Sequence, residues 1–237
     1  MAVQPVILTT SKRPSEQVTA LVSALSDAAG LAEPIIFDDH LDAGAATATR
    51  DALRAASAAD EHVLFLEDDV VMDRDAPARI AATSFPAEVA VISFCDMREV
   101  AEFAPSGLYR RSALGSDNRG WWGNQALLIH RDTVAMCARA DWFGPEVESS
   151  LGVRVHKLTY GDDGRNCSDI RLALLIHLHG GDRRDYAVHV PSLFNHVGHD
   201  SACFPGRSMG ERATRNWIGD RRRFGIDAVL DAAAANP

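Results

Sequence analysis

The chain has 237 residues, of which 46% are hydrophobic and 24% charged, and its formal net charge is −9 at pH 7. This length supports one sizeable core, so we expect a single domain, and the acidic balance argues against a polyanion bound over the whole surface. No apolar run of about 20 residues is present and the first strand begins too early for a signal peptide, while the four cysteines are scattered without a C-x-x-C pair. We therefore expect a cytoplasmic protein with free thiols and no membrane anchor.

The first hundred residues alternate between short apolar strands and amphipathic helices. Strands are predicted at 6–8, 34–37, 63–66 and 89–94. One helix follows the first strand, and a second is predicted in the alanine-rich stretch 45–58. Strand–helix units of this size favour parallel strands with right-handed crossovers, which predicts an α/β fold with a doubly wound sheet.

The pattern changes after residue 100. Strands at 107–111 and 124–129 are typical of an antiparallel or mixed extension of the sheet. Between them, the loop 115–123 is too rich in glycine and polar residues to be core. A helix at 169–178 and a strand at 186–194 complete the predicted order of elements.

The strand at 63–66 runs directly into three carboxylates, Glu67, Asp68 and Asp69. Hard cations such as Mg²⁺ and Mn²⁺ prefer carboxylate oxygen, and an ion held at the end of a strand can grip a nucleotide diphosphate. Ligands of open α/β sheets bind beyond the carboxyl ends of the strands. The triplet therefore indicates a metal-diphosphate site, and the alternative is a strand that leaves the core through a solvated acidic turn.

Three features carry a resemblance to a known family: the acidic triplet, the Gly-Trp-Trp-Gly loop at 120–123 and the segment P-S-L-F-N-H-V-G at 191–198. Together with the order of elements, they resemble a GT-A-fold glycosyltransferase. The last segment is similar to the closing motif of the N-acetylglucosaminyltransferases that branch N-glycans (the GnT-IV type). The chain departs from that motif at Asn195, where the family has glutamine, and at the following pair His199 and Asp200.

The resemblance implies a single GT-A domain over 1–237 with a Rossmann-like mixed sheet, a nucleotide-sugar-binding half at 1–100 and an acceptor-binding half at 101–237. It implies a metal-dependent, inverting hexosyl- or N-acetylhexosaminyltransferase that uses a UDP-sugar with Mn²⁺ or Mg²⁺. In this family the last acid of the triplet, here Asp69, ligates the metal, and Asp68 supports it or holds the ribose. By the same resemblance His196 completes the metal shell, although a histidine in that position is also typical of a structural residue.

Further donor-binding candidates are Thr9, Thr10, Arg13, Asp38, Arg50 and Arg207. The turn after the first strand offers backbone donors and a cation for the base and diphosphate, and its alternative is a solvated turn. Asp38 ends the second strand and is placed to contact the uridine. Its alternative is an ordinary turn-forming residue at the start of a loop. Arg50 on the second helix is either a phosphate-binding residue or a solvated one. Arg207 resembles an arginine that neutralises the diphosphate as a loop closes.

An inverting transfer needs a carboxylate that deprotonates the acceptor hydroxyl. Asp169 resembles the base at the start of a late helix in such enzymes, and its alternative is an acid favoured by the helix dipole. Asp162 and Asp163 compete for the role. Trp121 and Trp122, with Gly123, are predicted to form a wall for the sugar or the acceptor, or else a lid packed on the core.

The C-terminal stretch 205–225 offers a clue to the acceptor. Six arginines and two aromatic residues are concentrated there: Arg207, Arg212, Arg215, Trp217, Arg221, Arg222, Arg223 and Phe224. The stretch is either a solvated helix face or a groove for an anionic acceptor, such as a hydroxylated base in DNA modified by a phage-type glycosyltransferase. The acceptor is thus left open between a glycan, a small molecule and a modified DNA base. Two further functions fit the same acidic triplet and sheet: a sugar-phosphate nucleotidyltransferase and a non-catalytic nucleotide-sugar-binding module.

Overall fold

In a computed structural model of the chain, the structure describes residues 2–10, 15–39, 43–95, 107–112, 125–154 and 168–196. The strands in these ranges are β1 (Val3–Thr9), β2 (Ile35–Asp38), β3 (His62–Glu67), β4 (Val70–Met72), β5 (Val89–Ser93), β6 (Gly107–Ser112), β7 (Ala126–Ile129), β8 (Asp185–Val190) and β9 (Phe194–His196). The α-helices are α1 (Ser15–Ser26), α2 (Ala45–Ala56), α3 (Ala76–Ala82), α4 (Arg131–Arg139), α5 (Pro145–Arg154) and α6 (Ser168–His179).

Seven of the described strands form one sheet in the order β2-β1-β3-β7-β5-β8-β6. Five of them run in one direction, while β7 is antiparallel to both of its neighbours and β6 is antiparallel to β8. The prediction of an α/β fold with a mixed sheet is confirmed, and the topology is consistent with a single-domain GT-A-like fold. The strands expected at 107–111 and 124–129 are antiparallel to their neighbours, as predicted, and β7 inserts between β3 and β5 while β6 lies at the edge of the sheet.

The sheet is buried on both faces, and each face has its own core. Within β3, Leu64 and Leu66 pack on the face covered by α1 and α3, whereas Val63 and Phe65 pack on the face covered by α2, α4, α5 and α6. All four of these side chains are fully buried. A strand buried on both faces is apolar throughout instead of alternating, which explains why the sequence at 63–66 reads as a continuous apolar run.

A second, two-stranded sheet lies beyond the main one and consists of β4 and β9. The prediction of one strand over 186–194 was wrong, since that segment divides into β8 in the main sheet and β9 in the small one. Pro191 has no N–H to donate to a ladder and stands where β8 ends. Leu193 then donates its N–H to the carbonyl of Phe94 at 2.9 Å, which redirects the chain toward β4.

Two further sequence expectations concern the cysteines and the helices. Cys95 and Cys137 are buried thiols outside any disulfide, as predicted, and burial raises the pKa of Cys137 to about 12. No helix in the described ranges combines the length and apolar character needed to cross a bilayer.

The amino end of β3 carries a cluster of three rings, His62, Phe85 and His130, whose centroids are 4.7–5.1 Å apart. Each histidine accepts a backbone N–H at Nδ1, from Arg131 at 3.1 Å and from Asp132 at 3.3 Å, so both rings are held in a neutral form. Burial, assisted by the neighbouring His130 and Arg131, lowers the pKa of His62 to about 4. Burial also lowers the pKa of His130.

We predict that the free energy of unfolding is fully retained above about pH 6.5 and decreases as the pH falls toward 4, because the unfolded chain binds protons at these histidines more readily than the native one. In His62→Gln, which stays neutral, this part of the pH dependence should flatten. Urea unfolding between pH 7.5 and 4 measures it. The exposed His177 of α6 supplies a control, His177→Gln, that should follow the wild type. Parallel pH profiles for wild type and His62→Gln would contradict the assignment.

Candidate functional site

Polar side chains from three parallel strands meet at the carboxyl edge of the main sheet. Thr9 at the end of β1 is paired with Asp38 at the end of β2, and Leu8 is paired with Glu67 at the end of β3. The backbone N–H of Asp39 also donates to the carbonyl of Thr9 at 2.9 Å. Three of the positions that the sequence indicated, Thr9, Asp38 and Glu67, therefore lie at one edge of the sheet, and the crevice itself stays a prediction.

Asp68 connects β3 to the end of β1. Its Oδ2 accepts the hydroxyl of Thr9 at 2.9 Å and the backbone N–H of Thr10 at 3.3 Å. The residue is only 5% exposed. A buried carboxylate is stabilised by such donors, so Asp68 holds the first turn of the edge in place.

Asp69 contacts His196, which lies 127 residues later in the chain. Asp69 Oδ2 and His196 Nε2 are 3.0 Å apart, and both side chains are 6% exposed. The backbone explains the contact, because β4 pairs antiparallel with β9 and places Val70 opposite His196. Asp69 of the acidic triplet and His196 are thus brought together by the small sheet.

A carboxylate oxygen and an imidazole nitrogen are a donor pair that suits Mn²⁺, whereas Mg²⁺ takes oxygen ligands and keeps several waters. Among the described residues, no three or more His, Cys, Asp or Glu side chains are grouped so that they would hold a metal ion. Asp69 and His196 are thus two donors of the types that the resemblance implies for a metal shell, and the metal site itself stays a prediction.

Asp169 stands in the first turn of α6, and its Oδ1 accepts the N–H of Ile170 at 2.8 Å. Because only residues 180–184 separate α6 from the amino end of β8, and the helix is about 18 Å long, its first turn lies toward the carboxyl edge of the sheet. Two residues later, the fully buried Arg171 donates to the carbonyl of Trp142 at 2.9 Å and to Glu148 at 2.7 Å. These bonds fix the start of α6.

Arg50 of α2 is engaged by its neighbour. Its Nε and Nη2 donate to the two carboxylate oxygens of Asp51 at 2.7 and 3.0 Å, which raises the pKa of Arg50 and lowers the pKa of Asp51. The guanidinium carbon also lies 5.7 Å from the centre of the Phe143 ring. Within the described part of the chain, no contact joins Arg50 to the acidic triplet, so its phosphate-binding role stays a prediction.

Several predicted site residues lie outside the described ranges: Arg13, Trp121, Trp122, Gly123, Asp162, Asp163 and Arg207. The arginine-rich stretch 205–225, on which the DNA acceptor depended, also lies outside them. Their proposed roles stay predictions.

Sequence reasoning missed one residue of this edge, Gln125. Its carbonyl accepts the backbone N–H of Glu67 at 3.0 Å, which continues the β3–β7 pairing up to the triplet. A polar residue directly before the apolar run 126–129 was the only signal available in the sequence. That signal does not predict a place at this edge unless β7 is known to pair with β3.

Comparisons with known proteins add little. No family model and no curated protein matches the chain. Among solved structures, 26 chains match, one of which is the crystal structure of a glycosyltransferase involved in the glycosylation of the major capsid of PBCV-1. That structure is 13% identical, with a TM-score of 0.32, over 81% of this chain and 93% of the other. At this similarity the likeness assigns neither a family nor an activity.

We predict that Asp68→Ala lowers the free energy of unfolding by about 1–3 kcal/mol, because the Thr9 hydroxyl and the Thr10 N–H lose a buried acceptor. Thr9→Val should cost less, and the double mutant should show a coupling of about 0.5–3 kcal/mol in urea unfolding. As a control, Thr83→Val removes a hydroxyl that bonds within α3 and should not couple with Asp68→Ala. Additive effects of Asp68→Ala and Thr9→Val would mean that this hydrogen bond does not stabilise the edge.

Proposed function

We propose that this chain is a metal-dependent glycosyltransferase that moves a sugar from a UDP-sugar to an acceptor hydroxyl. The observation that carries the proposal is the buried contact between Asp69 and His196. Two motifs that resemble glycosyltransferase motifs in the sequence are far apart in the chain, and they meet at the edge where α/β sheets bind ligands. An acidic surface turn and an unrelated structural histidine have no reason to meet there.

The donor nucleotide would lie over the ends of β1 and β2. Asp38 stands there, exposed, as a hydrogen-bond acceptor for the base. Asp68 accepts the hydroxyl of Thr9 and the backbone N–H of Thr10 and so fixes the turn where the diphosphate would begin. Asp68 would therefore contribute by fixing the shape of the turn after β1. The adjoining Asp69 would contribute its negative charge to the metal ion.

Asp69 and His196 would hold Mn²⁺ or Mg²⁺ at the diphosphate. The ion, when bound, neutralises the charge that develops on the leaving diphosphate. Burial of both side chains excludes water from their contact and strengthens their electrostatic interactions. The small sheet of β4 and β9 keeps the two ligands at one distance.

Asp169 would serve as the general base. The acceptor oxygen forms a bond to the anomeric carbon while the bond from that carbon to the diphosphate oxygen breaks, and the acceptor proton passes to the Asp169 carboxylate. Attack opposite the leaving group inverts the anomeric configuration. The anchored start of α6 holds the base in position. The transferred group would be a hexosyl or N-acetylhexosaminyl group, and the acceptor a glycan, a small molecule or a modified DNA base.

We predict that Asp69→Asn abolishes Mn²⁺-dependent binding of UDP, because the amide keeps the shape of the side chain and removes the charge that holds the ion. Calorimetric titration with UDP, with and without Mn²⁺, measures the effect. Asp73, 8% exposed just after β4, supplies the matched control Asp73→Asn, which should bind like the wild type. Wild-type affinity in Asp69→Asn would refute the metal assignment.

We also predict that Asp169→Asn binds Mn²⁺ and the UDP-sugar normally but loses transfer by about a hundredfold or more, as expected for the loss of a general base. The rate of UDP release with an acceptor found by screening gives the measurement, and NMR of the product gives its anomeric configuration. Asp182→Asn, in the exposed turn after α6, serves as the control. Near-normal turnover in Asp169→Asn would move the base to another carboxylate, and retention at the anomeric carbon would exclude the inverting mechanism.

A further inference from the structure

Gln125 carries a buried amide oxygen directly before β7. The residue is 9% exposed, and its Oε1 is buried with no hydrogen-bond partner in the part of the chain that the structure describes. An exchange of the amide nitrogen and oxygen would place a buried donor at the same point, so the conclusion does not depend on the assignment. Folded proteins keep few such groups, because an unsatisfied buried polar group is destabilising, and a ligand contact is one reason to retain it.

The side chain of Gln125 lies on the face of the sheet that is covered by α6. Side chains along a strand alternate between the two faces of a sheet. In β7, Ala126 packs on the face covered by α1 and α3, and Leu127 packs on the face covered by α6. Gln125 therefore shares the α6 face with Leu127. By the same alternation in β3, Glu67 follows Phe65 onto this face, which is also where Asp169 begins α6.

The order of the strands places Gln125 next to the diphosphate position. Across the carboxyl edge, Asp38 on β2 is followed by Thr9 on β1, by Asp68 and Asp69 after β3, and then by Gln125 before β7. Neighbouring strands are about 4.8 Å apart, so about 14 Å separates β2 from β7. A donor with its base at β2 and its diphosphate at β3 presents the transferred sugar at β7.

We propose that Gln125 hydrogen-bonds a hydroxyl of the transferred sugar and thereby contributes to the choice of donor. The inference rests on the proposed function and identifies a specificity-determining residue in that site. An amide carbonyl accepts from a hydroxyl and an amide nitrogen donates to one, so a sugar hydroxyl satisfies either orientation. A ligand that lacks the matching hydroxyl binds such a site more weakly, because the buried polar group then stays without a hydrogen bond in the complex.

The test compares Gln125→Met with Gln4→Met. Gln4 is also buried, at 8% exposure, but its amide donates to the carbonyls of Glu33 at 2.7 Å and Pro5 at 3.0 Å. Without ligand, we expect Gln4→Met to melt below the wild type and Gln125→Met to melt at or above it, because only the first loses satisfied hydrogen bonds. With Mn²⁺, Gln125→Met should bind UDP like the wild type and bind the preferred UDP-sugar about threefold to tenfold more weakly.

The donors for calorimetry are UDP, UDP-glucose, UDP-galactose and UDP-N-acetylglucosamine, each with Mn²⁺. Gln125→Met should discriminate less between the three sugars, and Gln4→Met should discriminate like the wild type. Gln125→Leu is a second variant with the same expected direction. Unchanged discrimination in the Gln125 variants, or a loss of melting temperature as large as that of Gln4→Met, would overturn the inference while the proposed function stands. If the wild type binds none of these donors with Mn²⁺, the proposed function fails and the inference fails with it.

Discussion

The pairing of β4 with β9 is the constraint on which the site depends. It places Val70 opposite His196 and Met72 opposite Phe194, and Asp73 extends it by donating its N–H to the carbonyl of Leu193 at 2.8 Å. A two-stranded sheet of this length is marginal by itself. Its stability comes from burial, because Val70 and Phe194 have no exposed surface and belong to the core on the α1 and α3 face of the main sheet.

The stability of that core offsets the desolvation cost of burying charged groups at the carboxyl edge. Asp68, Asp69 and His196 are all at least nine-tenths buried at one edge of the sheet. A buried ion pair is weak evidence for a gain in stability, since desolvation offsets much of the attraction. The concentration of such groups at a single edge is better explained by a ligand that needs them, because proteins depart from the rules of a stable core mainly at functional sites.

The two edges of the sheet therefore have different physical characters. At the carboxyl edge, buried carboxylates, a histidine and an amide offer charge and hydrogen bonds to a ligand. At the amino edge, His62 and His130 are held neutral by backbone donors and stack with Phe85. Their depressed pKa values make the stability of that edge sensitive to acid, whereas the carboxyl edge carries the residues proposed to bind the donor.

The sequence by itself determined the α/β class, the strand at 63–66, the helices at 45–58 and 169–178 to within two residues at either end, and the acids at the end of the third strand. These features are local, since apolar runs, helical periodicity and composition report on a few neighbouring residues. The tertiary structure alone decided that β7 lies between β3 and β5, that the segment 186–194 divides between two sheets, and that Asp69 meets His196. It also decided that the carbonyl of Gln125 accepts the N–H of Glu67 at the end of β3. Strand pairing joins residues that are distant in the chain, and the energy that selects each partner comes from side-chain packing and burial, which no local pattern contains.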